Sequence, residues 1–228
     1  MRRSFFLTFE GLDGSGKTTH LRLLAEALER QGLPVLVTHQ PGDTTLGERI
    51  RALLLDAKTT DIAPMTEMAL MFADRTQSIQ QIISPALEAG KIVICDRFTD
   101  STEAYQGGGR KLGSDAVLAL HRVLCRNLQP DLTILLLPPL EISLARTCSR
   151  SSNSQTGGDA DRFEREKRAF HERVFARYRE IAARETTRVV AIEGDLPVEA
   201  IQERILRVVQ ERLVAFRLYI PPNISSPA

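Results

Sequence analysis

The run Gly11-Leu12-Asp13-Gly14-Ser15-Gly16-Lys17-Thr18 has the spacing G-x-x-x-x-G-K-[ST], with the apolar stretch Phe5 to Phe9 just before it and an amphipathic pattern just after. Handling phosphate calls for this combination. Glycines let the backbone wrap close to an anion, so that its N–H groups and the N-terminus of the next helix face the oxygens. Lys17 adds a charge and Thr18 a hydroxyl for magnesium, so ATP or GTP with Mg²⁺ is implied. A chance glycine-rich turn does not explain a loop placed between a strand and a helix. A second group follows the apolar run Ile92-Val93-Ile94-Cys95, which ends in Asp96 and Arg97. A carboxylate in that place can serve the metal, and an arginine beside it, at the carboxyl end of a strand, suits phosphate. The base-reading pattern N-K-x-D of GTPases is absent from the chain.

These loops need a scaffold. Five short runs rich in β-branched and aliphatic residues, Phe5 to Phe9, Val35 to Thr38, Ile92 to Cys95, Leu132 to Leu137 and Val189 to Ile192, alternate with helical patterns such as Leu21, Leu24, Ala25 and Leu28, or Leu46, Ile50, Leu53 and Leu54. Strands without polar alternation, separated by helices, predict an α/β fold with a parallel sheet covered on both faces. The 228 residues suffice for one sizeable core. Thirty basic against twenty-nine acidic residues leave a net charge of +1, which disfavours a broad nucleic-acid-binding surface. Three cysteines without C-x-x-C spacing indicate neither a disulfide framework nor a zinc cage, and a reducing, cytoplasmic setting is expected. The run after Met1-Arg2-Arg3-Ser4 is too short for a secretory core and meets Glu10; no stretch is long enough for a membrane helix, so no membrane partner is expected.

With Phe9-Glu10-Gly11 through Thr19, Asp96-Arg97-Phe98 and Ser101-Thr102-Glu103-Ala104-Tyr105-Gln106-Gly107-Gly108-Gly109-Arg110 in view, the chain from Phe5 to about Gly194 resembles the thymidylate kinases. Pro130-Asp131-Leu132-Thr133 and Asp161-Arg162-Phe163-Glu164 are similar to that family too. The resemblance implies a P-loop kinase fold of three layers around a five-stranded parallel sheet, transfer of the γ-phosphoryl group of ATP to dTMP, Mg²⁺, and a homodimer. It places ATP on Gly11, Leu12, Asp13, Gly14, Ser15, Gly16, Lys17, Thr18 and Thr19, with Arg146 assisting, and the metal on Thr18 and Asp96. For the acceptor it implies Phe72 stacked on the thymine, Arg75 on a base carbonyl, Ser101 and Gln106 at the base edge, and Tyr105 where a 2′-hydroxyl would sit. Asp13 would anchor the sugar, Pro41 would line the site, and Arg51 and Arg97 would reach the acceptor phosphate. Without the resemblance, Phe72 reads as a core position on the stripe Met65, Met68, Ala69 and Phe72, and Arg75 as a solvated helix charge. Lys17, Arg51, Arg97 and the metal would shield two anions from each other, and no general base is needed because a phosphate monoester is ionised at neutral pH.

Some members of the family carry an arginine in the segment that is Asp13-Gly14-Ser15 here; without it, the resemblance to the bacterial type implies that the charge comes from a lid over residues 147–161 and its flanks, with Arg146, Arg150 and Arg162 as candidates and Arg150 preferred. One domain over residues 1–213 and a Pro-rich tail over 214–228 are expected. Two departures from the family pattern stand out: His39-Gln40-Pro41-Gly42-Asp43-Thr44 replaces R-E-P-G-G-T, and Leu135-Leu136-Leu137-Pro138 lacks the aspartate that usually ends the fourth strand. Two rival readings stand beside this one: a kinase for dUMP, dCMP or a ribonucleotide, against which Phe72, Arg75 and Tyr105 argue, and a nucleotide-binding module without catalysis, which Gln40 and Leu137 motivate. The four histidines share no spacing and receive no role.

Overall fold

Each of the five apolar runs forms a strand in the computed structural model, which describes residues 4–59, 61–153, 162–164, 166–216 and 218. In chain order the elements are β1 (Phe5–Glu10), α1 (Lys17–Arg30), β2 (Val35–His39), α2 (Thr45–Leu55), α3 (Pro64–Ser78), α4 (Ser84–Glu88) and β3 (Ile92–Asp96). They continue as α5 (Thr99–Thr102), α6 (Ser114–Leu124), β4 (Leu132–Leu137), α7 (Leu140–Asn153), α8 (Arg168–Arg184), β5 (Val189–Glu193) and α9 (Val198–Ala215). π-helical turns join α3 to α4 (Ile79–Ile83) and continue α5 (Glu103–Gly109).

All strand pairs are parallel, in the order β2-β3-β1-β4-β5. Parallel neighbours need crossovers, and the helices supply them on both faces. On one face Leu21, Leu24 and Leu28 of α1 and Ile205, Val209 and Leu213 of α9 pack on Phe5, Leu7 and Phe9. On the other, Phe170, Val174 and Tyr178 of α8 pack with Tyr105 on Leu135 and Leu137. Leu24 and Leu28 are fully buried, and each such side chain stabilises the fold by about 1.5–3 kcal/mol. α9 runs to Ala215, and the Phe216 ring meets Phe5 edge-on at 5.1 Å. Among the described residues no helix is long and apolar enough to cross a membrane.

The register aligns Phe9 of β1 and His39 of β2 with Asp96 of β3. The loops after β1, β2 and β3 therefore open at one edge of the sheet, at the carboxyl ends of the strands where open α/β sheets hold ligands.

Candidate active site

Gly16 caps α1 in a left-handed conformation, so the helix begins at Lys17 with its N-terminus facing the loop. Gly14 also has positive φ, and a Cβ there would run into the Ser143 carbonyl of α7. The loop thus requires glycine for conformation and for close approach. Lys17 is buried, and its ammonium donates to the carbonyls of Gly11 at 3.1 Å and Leu12 at 2.8 Å. Burial, reinforced by the Arg97 charge, pulls its pKa down to about 8. Thr18 Oγ1 donates to Asp96 Oδ2 at 3.3 Å, while Asp96 Oδ1 and Ser15 Oγ are buried with no protein partner. Oxygens so placed fit a hard cation shared with nucleotide phosphates. Among the described residues no cluster of three or more His, Cys, Asp or Glu could hold a metal ion.

Arg97 follows β3 at φ 69°, a conformation that costs a side-chain-bearing residue energy and is tolerated where surroundings enforce it. Here Arg97 N donates to Phe9 O at 2.9 Å, and Phe98 N donates to Glu10 Oε1 at 2.7 Å. Glu10 is fully buried and also accepts from Ser101 Oγ at 2.5 Å and Tyr178 OH at 3.1 Å. Burial, with Asp100 nearby, pushes its pKa up to about 7. The turn aims the Arg97 guanidinium at Asp13 Oδ1 (2.5 Å), Ser101 Oγ (3.0 Å) and Gly11 O (3.1 Å). Tyr105 OH donates to Asp13 Oδ2 at 3.0 Å, and the Arg97 guanidinium lies 5.1 Å from the Tyr105 ring centroid. Burial opposes ionisation of Asp13, but the charges of Arg97 and Lys17 outweigh it and hold the carboxyl below the usual range. Burial pushes the Tyr105 phenol well up, so it remains a donor.

Beside this cluster lies a cleft lined by Asp13, Gln40, Pro41, Arg51, Leu55, Met71, Arg75, Arg97, Ser101, Thr102, Tyr105, Gln106 and Phe163. A second cleft, over the glycine loop, is lined by Gly14, Gly16, Lys17, Thr18, Thr19, Asp96 and Glu164 and shares Asp13, Gln40, Arg51 and Arg97 with the first. Arg51 is presented by α2, whose N-cap Thr44 accepts from Gly47 N at 2.8 Å, a cap of about 1 kcal/mol. Its guanidinium donates to the Pro41 carbonyl at 2.8 Å, next to the cis peptide Gln40–Pro41. Arg75 is fully buried and donates to Gln40 Oε1 (2.8 Å), Thr102 Oγ1 (2.9 Å) and Phe98 O (3.0 Å). The departure at Gln40 thus leaves this arginine among neutral acceptors. Tyr105 and Gln106 sit on the π-helical turn, which lies against α8; a Cβ on Gly109 would come within 2.5 Å of the Phe170 ring. Gly108, which approaches Arg177, and Gly109 serve that packing, whereas Gly107 approaches Gly113 and Val117.

Three expected residues fall elsewhere. Phe72 does not face the cleft: it is fully buried with Met68, Val117 and Cys125, and the Arg75 guanidinium covers its ring at 5.1 Å. Met71, four residues before Arg75 and so on the same helix face, lines the cleft instead. Arg162 does not reach the glycine loop. Its guanidinium is held by Glu67 at 2.6 Å and by the Leu54 carbonyl at 2.9 Å. Arg146 pairs with Asp195 at 3.2 Å, outside both clefts. Of the expected lid, residues through Asn153 continue α7, residues 154–161 lie outside the described residues, and so does the Arg150 side chain. The sequence reading assigned no role to Met71, Glu10 or Glu164. Glu164 belongs to a motif quoted above, and the i, i+4 relation of Met71 to Arg75 was readable.

The family model described as thymidylate kinase matches residues 9–205. The chain belongs to the thymidylate kinase family. A thymidylate kinase of Pelobacter propionicus is 43% identical over 210 residues, covering 92% of this chain and 95% of that protein. One of Alkalilimnicola ehrlichii is 46% identical over 201 residues, covering 88% and 90%. The crystal structure of the thymidylate kinase from Ehrlichia chaffeensis superposes with a TM-score of 0.72 at 31% identity, covering 91% of this chain and 99% of that one. Membership makes the chain an enzyme, a nucleoside monophosphate kinase that phosphorylates dTMP to dTDP, and its sheet is the family's P-loop kinase fold.

Proposed function

We propose that this thymidylate kinase takes the γ-phosphoryl group from ATP in the glycine-loop cleft and passes it directly to dTMP in the neighbouring cleft. The observation that carries this is the set of residues common to both clefts, Asp13, Gln40, Arg51 and Arg97, which supports a donor and an acceptor lying side by side. Gly11 to Thr19 hold the ATP phosphates through backbone N–H groups and the N-terminus of α1, and Lys17 offsets their charge. Thr18 and Asp96 would hold Mg²⁺, which when bound neutralises charge on the phosphate oxygens. Arg97 and Arg51 hold the acceptor phosphate and keep two anions close, so positioning and charge stabilisation supply the rate enhancement without a protein base.

Tyr105 fills the space beside the sugar and favours deoxyribose by exclusion, Asp13 anchors the sugar hydroxyl, and Arg75 and Gln106 meet the base edge. Met71 supplies the apolar contact to the base face. Arg150 remains the lid arginine of choice, because Arg146 and Arg162 have other partners. The enzyme works as a homodimer; exposed Leu46 and Leu53 of α2, Met65 of α3 and Val123 of α6 offer apolar surface for a second copy. A cytoplasmic setting agrees with the buried thiols of Cys95 and Cys125. The test is product identification with γ-labelled ATP and dTMP. Label should appear in dTDP, one ADP for each; label released as free phosphate would contradict direct transfer.

A further inference from the structure

Glu67, in the first turn of α3, is a fully buried carboxylate that the mechanism above does not use. It accepts hydrogen bonds from Gln106 Nε2 at 2.8 Å and Arg110 Nε at 3.0 Å, and it pairs with Arg162 at 2.6 Å. The two guanidinium groups compensate its charge. The third partner is neutral and belongs to the acceptor cleft.

A side chain that accepts from two guanidinium groups presents only acceptor oxygens, so the amide end turned toward Glu67 is the NH₂ end. The other end, Oε1, meets no donor among the described residues and is not one of the sealed, unpartnered polar atoms, so it borders the cleft that Gln106 lines. Arg75 lines the same cleft and can only donate; three of its five N–H groups are taken by Gln40, Thr102 and Phe98. The cleft therefore offers a donor from Arg75 and an acceptor from Gln106. A pyrimidine imide, with a carbonyl oxygen next to a ring N–H, matches both. Cytosine, with an amino group next to an unprotonated ring nitrogen, mismatches both.

We infer that Glu67 is a positioning residue that fixes the polarity of the Gln106 amide and thereby makes the cleft select an imide-bearing base over cytosine. The inference rests on the acceptor reading given above. The test compares kcat/KM for dTMP, dUMP and dCMP in the wild type and in Glu67→Gln, whose new amide can donate as well as accept and so frees Gln106 to turn over. The dTMP-to-dCMP ratio should fall about tenfold or more, the scale of one mismatched buried hydrogen bond. The dTMP-to-dUMP ratio should stay within about twofold, because both bases carry the imide. A variant slower on all three substrates with both ratios unchanged would show a merely structural role and overturn the inference. If Glu67→Gln loses its cooperative melt, Gln106→Leu must lower the dTMP-to-dCMP ratio with Glu67 intact, and an unchanged ratio overturns the inference as well. A wild type that does not prefer dTMP to dCMP would fail at an earlier point, in the acceptor reading itself.

Discussion

Replacing Arg97 by alanine removes a guanidinium that contacts Asp13, Ser101 and the Gly11 carbonyl together. Its side chain is 17% exposed and sits where the two clefts join. A preorganised donor aimed at charge in a transition state contributes about 2.7–4 kcal/mol, and each 1.36 kcal/mol is a factor of ten in rate. In the proposed reading Arg97 donates to both the acceptor phosphate and the transferred group, so Arg97→Ala should lower kcat/KM by about 10³-fold or more. Stability should change far less, by under about 3 kcal/mol, because Asp13 keeps the Tyr105 hydroxyl at 3.0 Å and the Lys17 charge. Arg97→Lys should recover little, since one ammonium cannot span three acceptors fixed around a planar fork. Steady-state ADP release with Mg-ATP and dTMP, alongside thermal melts, separates the two effects. Turnover within tenfold of the wild type, in a folded Arg97→Ala variant, would refute the assignment of Arg97 to the reacting phosphates.

Phe72→Ala should destabilise the fold by about 3–5 kcal/mol with little change in the KM for dTMP, whereas Met71→Ala should raise that KM several-fold at small cost in stability; the reverse pattern would put Phe72 back in the cleft. Glu10 gives a pH signature: its carboxyl is pushed up to about 7 from 4.5, so the folded state binds the proton more tightly and wild-type stability should fall as pH rises across that window. Glu10→Gln should lose that slope, on the order of 1–3 kcal/mol, and parallel denaturant curves at pH 5 and pH 8 for the two proteins would count against it. Lys17, pulled down to about 8 by burial and Arg97, loses its charge above that pH in the free enzyme, so kcat/KM for ATP should decline there; a flat profile to pH 9.5 would contradict this.

Much of the site was legible because it lies in contiguous motifs. A strand, a glycine loop and a helix start are neighbours in sequence, so Gly11 to Thr18 could be placed without knowing the rest, and the strand ending in Asp96 put Arg97 at the same sheet edge. What escaped depends on contacts between distant segments. Met71 and Phe72 are adjacent apolar residues on one helix, and which of them turns to the cleft is decided by the packing of Phe72 with Val117 and Cys125 of the α6 region. Arg162 carries nothing in its local sequence to say that it ends on Glu67, a residue of α3. The π-helical turn that presents Tyr105 and Gln106 likewise depends on α8 lying against its glycines.

The most direct test of the acceptor assignment is kcat/KM with Mg-ATP against dTMP, dUMP, dCMP, UMP and AMP, with a control lacking acceptor. Turnover should be highest with dTMP and weaker with dUMP, since one base methyl contributes about 1–3 kcal/mol. It should be small with UMP, whose 2′-hydroxyl would meet Tyr105 in the proposed acceptor pose, and with dCMP and AMP. Equal turnover of UMP and dUMP, or a preference for dCMP or AMP, would contradict the roles given to Tyr105, Arg75 and Gln106.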